Sequence, residues 1–220
     1  MKKLKKFIKE NKKFIFTITL LMGVQALFYW VLKYFQTNPT YIYFYLDDKI
    51  PFIGRFVYIY NMFYPFCLIA FYYLYKKDEK AYYKGIISGI IGFLICDIIF
   101  LTMPTIMYRP VIPDIDPITN LVLDITFLYD NPPLNCFPSI HCLFCFQVIF
   151  SYIISKHKLK VKIPVIIIAL LIIISTLLVK QHFIFDVISA LLICLITNFI
   201  TELFNLYHFF KKKDILKNLA

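Results

Sequence analysis

Residues 163–204 run IPVIIIALLIIISTLLV, then KQH, then FIFDVISALLICLITNFITELF. Two apolar runs, 163–179 and 183–204, are separated only by Lys180, Gln181 and His182. About 20 apolar residues of helix cross the hydrocarbon core of a bilayer. The pair therefore reads as two successive membrane spans joined by a tight polar turn. Asp186 stands about one turn inside the second of them. An ionisable group at that depth costs roughly 2.5–3.5 kcal/mol on insertion scales, so it is a functional candidate.

Four more apolar runs lie upstream: Phe14–Leu32, Phe56–Tyr75, Gly85–Met103 and Pro138–Ser155. Across the 220 residues, 60% are hydrophobic and 17% charged. An ordinary soluble domain has roughly 45–50% apolar residues, so this excess must face lipid. The expected fold is an all-α, polytopic six-transmembrane-helix bundle. Residues 1–13 form a basic N-terminus, 14–204 the membrane domain, and 205–220 a basic tail. The first run is long enough to span and no small-residue cleavage site follows it, so it reads as a retained anchor.

The net charge of +11 does not point to nucleic acid, because the basic residues cluster beside apolar runs. Residues 1–13 carry seven Lys/Arg, 76–84 together with the tail from 211 carry eight, and 156–162 carry four. The opposite side holds only Lys33, Lys49, Arg55, Arg109 and Lys180. Cytoplasmic loops carry the excess of Lys and Arg. Both termini are thus expected in the cytoplasm, with the protein in the plasma membrane. A Pro-rich, acidic segment from Pro104 to Phe137 then faces outward. Its six prolines deny it a long helix, and it carries Asp114, Asp116, Asp124 and Asp130.

This topology brings three short pieces to one depth on one face: Arg109-Pro110, Pro138-Ser139-Ile140-His141, and His182 with Asp186. His182 and Asp186 are four apart, a spacing that shares one face of a helix. The carboxylate can accept the Nδ1–H of the imidazole and leave Nε2 free to attack phosphorus. A His–Asp pair that only ties two helices together is the alternative. His141 can act as general acid from the opposite side. Ser139, at a helix N-terminus, can bind phosphate or simply cap the helix. Arg109 can hold phosphate oxygens through paired hydrogen bonds, or serve as an interfacial anchor.

Five cysteines fall within apolar runs, where Cys behaves as a small hydrophobe, and only Cys136 lies in the outer segment. His141, Cys142 and Cys145 lack the remaining ligands of a zinc site, and no metal is expected. Asp97 is a further intramembrane carboxylate. It either pairs with Lys180 or Arg109, or is protonated or hydrogen-bonded between helices.

Arg109-Pro110, Pro138-Ser139-x-His141 and Ser175-x6-His182-x3-Asp186 resemble, in order and spacing, the three signature motifs of the type 2 phosphatidic acid phosphatase superfamily. Those motifs are Lys-x6-Arg-Pro, Pro-Ser-x-His and Ser-Arg-x5-His-x3-Asp. The resemblance spans Thr102 to Asp186. It implies catalysis by His182, His141 and Asp186 through a phosphohistidine. It implies no cofactor, and a lipid or polyprenyl phosphate substrate bound by Arg109, Ser139 and Ser175. The chain departs from the motifs at Thr102, where the family has Lys, and at Thr176, where it has Arg. Thr102 keeps its place in the phosphate-binding set, and Lys180 is the expected substitute cation if the last helix begins after it. Phe137-Pro138-Ser139-x-His141 and Gln181-His182 also resemble the branch containing inositol phosphorylceramide synthases. Head-group transfer is therefore the alternative to hydrolysis, and a non-catalytic scaffold a further one. A transporter would string ionisable groups through the membrane, whereas here all but Asp97 gather at one face.

Overall fold

The computed structural model describes residues 2–212; Met1 and the tail residues from Lys213 lie outside the described residues. The described residues are all-α, with no strand among them. Helix α1 (Lys2–Glu10) leads into α2 (Lys12–Lys33), the expected anchor. Helices α3 (Val57–Asn61) and α4 (Phe63–Lys77) share the second apolar run, broken at Met62. The break has a cause in Pro65, whose ring would meet the carbonyl of Asn61 four residues earlier in a continuous helix. Helix α5 (Glu79–Thr102) is the third span.

The Pro-rich segment does contain a helix, α6 (Pro117–Tyr129). It begins where a proline is tolerated, at the first helical position, and it stops before Pro132 and Pro133. Asp116 caps it, with a carboxylate that accepts from the N–H and the hydroxyl of Thr119. Those hydrogen bonds hold the Asp116 carboxyl below its usual range. Helices α7 (Ile140–Ile154), α8 (Leu159–Leu178), α9 (Ile184–Leu203) and α10 (Leu206–Lys212) complete the chain.

Among the described residues, five helical stretches are long and apolar enough to cross a membrane: α2, the α3–α4 unit from Gly54, α5, α8 and α9. The expected sixth, α7, has only 15 residues, a rise of about 22 Å at 1.5 Å per residue. It starts at Ile140 because Ser139 is extended backbone capping the helix, not part of it. The short helix is nonetheless the hub, packing against α4, α5, α8 and α9. Phe71, Tyr82, Phe93, Phe100, Leu143 and Phe144 fill the centre, while Leu94, Ile98, Ile167, Leu192 and Ile196 face outward. Side-chain apolarity cannot distinguish helix from lipid, so polar contacts help fix the packing. Gln147 Nε2 donates to Ser88 Oγ and Thr197 Oγ1, and its Oε1 accepts from Asn198 Nδ2. Asp97 follows the second of its two readings, accepting from Gln25 of α2 at 3.0 Å. All six cysteines are buried and unpaired, Cys136 included.

Candidate active site

The start of α9 fixes the His–Asp pair. Asp186 sits in the first turn and its Oδ2 reaches back to accept the Phe183 N–H at 2.9 Å. The same oxygen lies 3.1 Å from His182 Nδ1. His182 precedes the helix, which starts at Ile184, so the pair does not arise from a shared helical face. It forms because the carboxylate turns back over the helix entrance. His182 Nδ1 also lies 3.1 Å from the Cys136 carbonyl. A carbonyl only accepts, so Nδ1 carries a proton, and this contact selects the tautomer in which Nε2 is the free nitrogen of a neutral imidazole.

The Cys136 carbonyl is itself placed by a buried threonine. Thr105 Oγ1 accepts the N–H groups of Cys136 and Phe137 at 3.2 and 3.0 Å. Burial pushes the Cys136 thiol up, and its Sγ donates to the Pro133 carbonyl.

Helix α7 brings the second histidine. Ser139 Oγ accepts from Cys142 N at 3.2 Å, and the Ser139 N–H donates to the Asp186 carbonyl at 3.2 Å. The two helix entrances are thereby tied together. The rings of His141 and His182 are 5.8 Å apart, centre to centre. His141 Nε2 lies 3.3 Å from Tyr60 Oη, and its ring packs on Tyr60 and Phe63. Both histidines line a cavity of about 310 Å³, whose wall also includes Tyr29, Trp30, Tyr64, Phe144, Asp130 and Gln181.

Arg109 joins the same end of the bundle. Its Nη1 donates to the Phe127 carbonyl at 2.8 Å, and Nη2 donates to Asp130 at 2.6 Å and to Gln181 Oε1 at 2.9 Å. Three expected members of the set stand elsewhere. Lys180, with φ 53° after the end of α8, sends Nζ to the carbonyls of Asp47 and Ile50 at 2.9 and 2.6 Å. Helix α9 does begin after Lys180, as its expected role required, yet those carbonyls hold the ammonium away from the cavity. Thr102 is exposed and bonds back to the Ile98 carbonyl. Ser175 is buried and donates to the Ile172 carbonyl. Cys142 and Cys145 are buried packing residues of α7.

Sequence reasoning missed Tyr60, Thr105, Gln181, Lys33 and Asp130 as neighbours of the site. Asp130 was visible only as one of several acidic residues in the loop, and Gln181 only as the neighbour of His182.

With two histidines lining one cavity, a carboxylate bonded to one of them, and an arginine bonded to Asp130 and Gln181 of its wall, the arrangement suits transfer of a phosphoryl group. The model of the PAP2 superfamily matches residues 42–200, and the chain belongs to that superfamily. Membership brings phosphatase-type chemistry, and the apolar helices make the chain an integral membrane protein. No curated protein and no solved structure matches the chain.

Proposed function

We propose that this protein hydrolyses a lipid phosphate or polyprenyl diphosphate through a phosphohistidine at His182, on the outer face of the plasma membrane. The observation that carries the reading is the His182–Asp186 pair beside His141, with both histidines lining one apolar cavity. Nε2 of His182 attacks phosphorus, and the bond from phosphorus to the leaving oxygen breaks. His141 gives that oxygen a proton. Water then attacks the phosphohistidine while His141 accepts a proton from it, and the bond from phosphorus to Nε2 breaks to release inorganic phosphate. Asp186 stabilises the positive charge that the imidazole acquires in the first step. Arg109 binds the non-bridging oxygens, as a planar fork matched to phosphate. The apolar walls accommodate the hydrocarbon part of the substrate. The outward orientation is supported by the charge of the loops.

The test is the fate of phosphorus in detergent micelles without added divalent metal. Phosphatidate, undecaprenyl diphosphate and a head-group donor–acceptor pair are offered to wild type, His182→Ala and His141→Ala. Free phosphate released by wild type and lost in both variants supports hydrolysis. A new phosphodiester lipid without free phosphate replaces it by head-group transfer. Equal turnover in wild type and His182→Ala refutes both.

A further inference from the structure

Two basic side chains converge on one carboxylate beside the histidines. Lys33 Nζ lies 2.7 Å from Asp130 Oδ1, and Arg109 Nη2 lies 2.6 Å from Asp130 Oδ2. Tyr29 donates to the same Oδ1 at 2.6 Å, and Lys33 also donates to the Pro132 carbonyl at 3.0 Å. The Lys33 and Arg109 side chains are 7% and 10% exposed and Asp130 is 21% exposed. Asp130 lines the cavity that holds His141 and His182, whereas Lys33 and Arg109 reach it only through their contacts with Asp130. Two N–H donors at this place, Arg109 Nε and Gln181 Nε2, are buried and have no acceptor.

One carboxylate thus meets two cations while two neighbouring donors go unused. A buried donor without an acceptor is destabilising, so the site is built for an anion with more oxygens than Asp130 offers. A phosphoryl group has three such oxygens and pairs with a guanidinium as a carboxylate does. The motif positions that could supply further cations carry Thr102 and Thr176, and Lys180 is held elsewhere. Lys33 closes α2, outside the matched residues 42–200.

We propose that Lys33 is the second phosphate-binding cation of this site, and that Asp130 occupies the place between Lys33 and Arg109 that the phosphoryl group of the substrate takes. The proposal rests on the phosphatase reading above. Asp130 ends α6, whose packing is mainly against α3 and the turn Gly54–Phe56 and whose Ile118, Leu121, Ile125 and Leu128 are exposed. Small movement of that helix end withdraws the carboxylate. Its departure leaves two positive charges, which match a dianionic phosphoryl group better than a singly charged diester.

A structural ion pair and an exchangeable one differ in sign. Inorganic phosphate is titrated calorimetrically into the detergent-purified full chain, with melting temperature and monodispersity recorded for each variant. Asp130→Asn is expected to bind phosphate at least threefold tighter, Lys33→Gln at least threefold weaker, and Lys33→Arg within about twofold of wild type. Tyr29→Phe loosens Asp130 and is expected to tighten binding, which keeps the test open if Asp130→Asn misfolds. Shifts of the same sign in the Asp130 and Lys33 variants, an unchanged affinity in Lys33→Gln, or no phosphate heat in wild type and Tyr29→Phe overturns the proposal. Phosphate binding needs no turnover. An inactive protein with the expected signs therefore refutes only the phosphatase reading, and an active one with same-sign shifts refutes only the role of Lys33 and Asp130.

Discussion

Replacing Asp186 with asparagine isolates the charge of the carboxylate from its geometry. Both of its side-chain contacts, the Phe183 N–H at 2.9 Å and His182 Nδ1 at 3.1 Å, fall on the same oxygen, Oδ2. An asparagine with its carbonyl in that place keeps both hydrogen bonds, so the fold at the start of α9 is expected to survive. Hydrogen bonds to charged groups contribute about 1.5–3 kcal/mol and neutral ones about 0.5–1.5. The His182 bond then weakens by about 1–2 kcal/mol as the ring becomes cationic, which is roughly 5–30-fold in rate. A wrong imidazole tautomer costs a Ser–His–Asp enzyme about 10⁴-fold after the same replacement. Here the Cys136 carbonyl, 3.1 Å from Nδ1, holds the correct tautomer independently. The assay is single-turnover release of free phosphate in micelles, with KM measured alongside. The expected result is a fall of roughly 5–30-fold in kcat with little change in KM. A loss near 10⁴-fold would show that the Cys136 carbonyl does not hold the ring, and an unchanged kcat would remove Asp186 from catalysis.

Tyr60→Phe deletes the hydroxyl 3.3 Å from His141 Nε2 and keeps the ring packing. It is expected to lower kcat about 2–10-fold without lowering the melting temperature; a loss of stability with unchanged kcat would make Tyr60 a packing residue only. A methyl group at Gly85 would clash with Ser151 Oγ, and that hydroxyl has no partner. Gly85→Ala should therefore destabilise by about 1–3 kcal/mol, and adding Ser151→Ala should restore most of it; thermal melts in detergent read both, and no rescue would place the strain elsewhere. Thr119 holds the Asp116 carboxyl below its usual range. Its support of α6 is present above the ordinary carboxylate pKa and is lost as pH falls through the depressed one. Protection factors of the amides at 118–120, which divide out the intrinsic pH dependence of exchange, should fall there in wild type and be low at all pH values in Asp116→Ala; pH-independent protection in wild type would contradict this.

The membrane helices were legible because apolar runs near 20 residues have one reading, and α2, α5, α8 and α9 fall where the runs do. The details that escaped depend on single residues acting on backbone: Pro65 splitting the second run, Ser139 shortening α7, and Pro117 permitting a helix in a proline-rich loop. In the site, motif order brought His141, His182, Asp186 and Arg109 together, because those residues face one end of adjacent helices. Lys180 escaped because its partners are the carbonyls of Asp47 and Ile50, far away in the chain. The Lys33–Asp130–Arg109 cluster escaped for the same reason. Lys33 and Asp130 read in sequence as ordinary charges near a membrane surface, and only tertiary packing shows that Lys33 and the motif residue Arg109 share one carboxylate.

Hydrolysis through His182 requires a covalent phosphoryl group on its imidazole. Wild type and variants are mixed with a ³²P-labelled lipid phosphate in micelles, quenched in alkali, which preserves phosphohistidine, and assayed for label on the chain. The expected result is alkali-stable, acid-labile label on wild type, and none on His182→Ala. Label on His182→Ala, or phosphate release by a wild type that never carries label, would contradict the account.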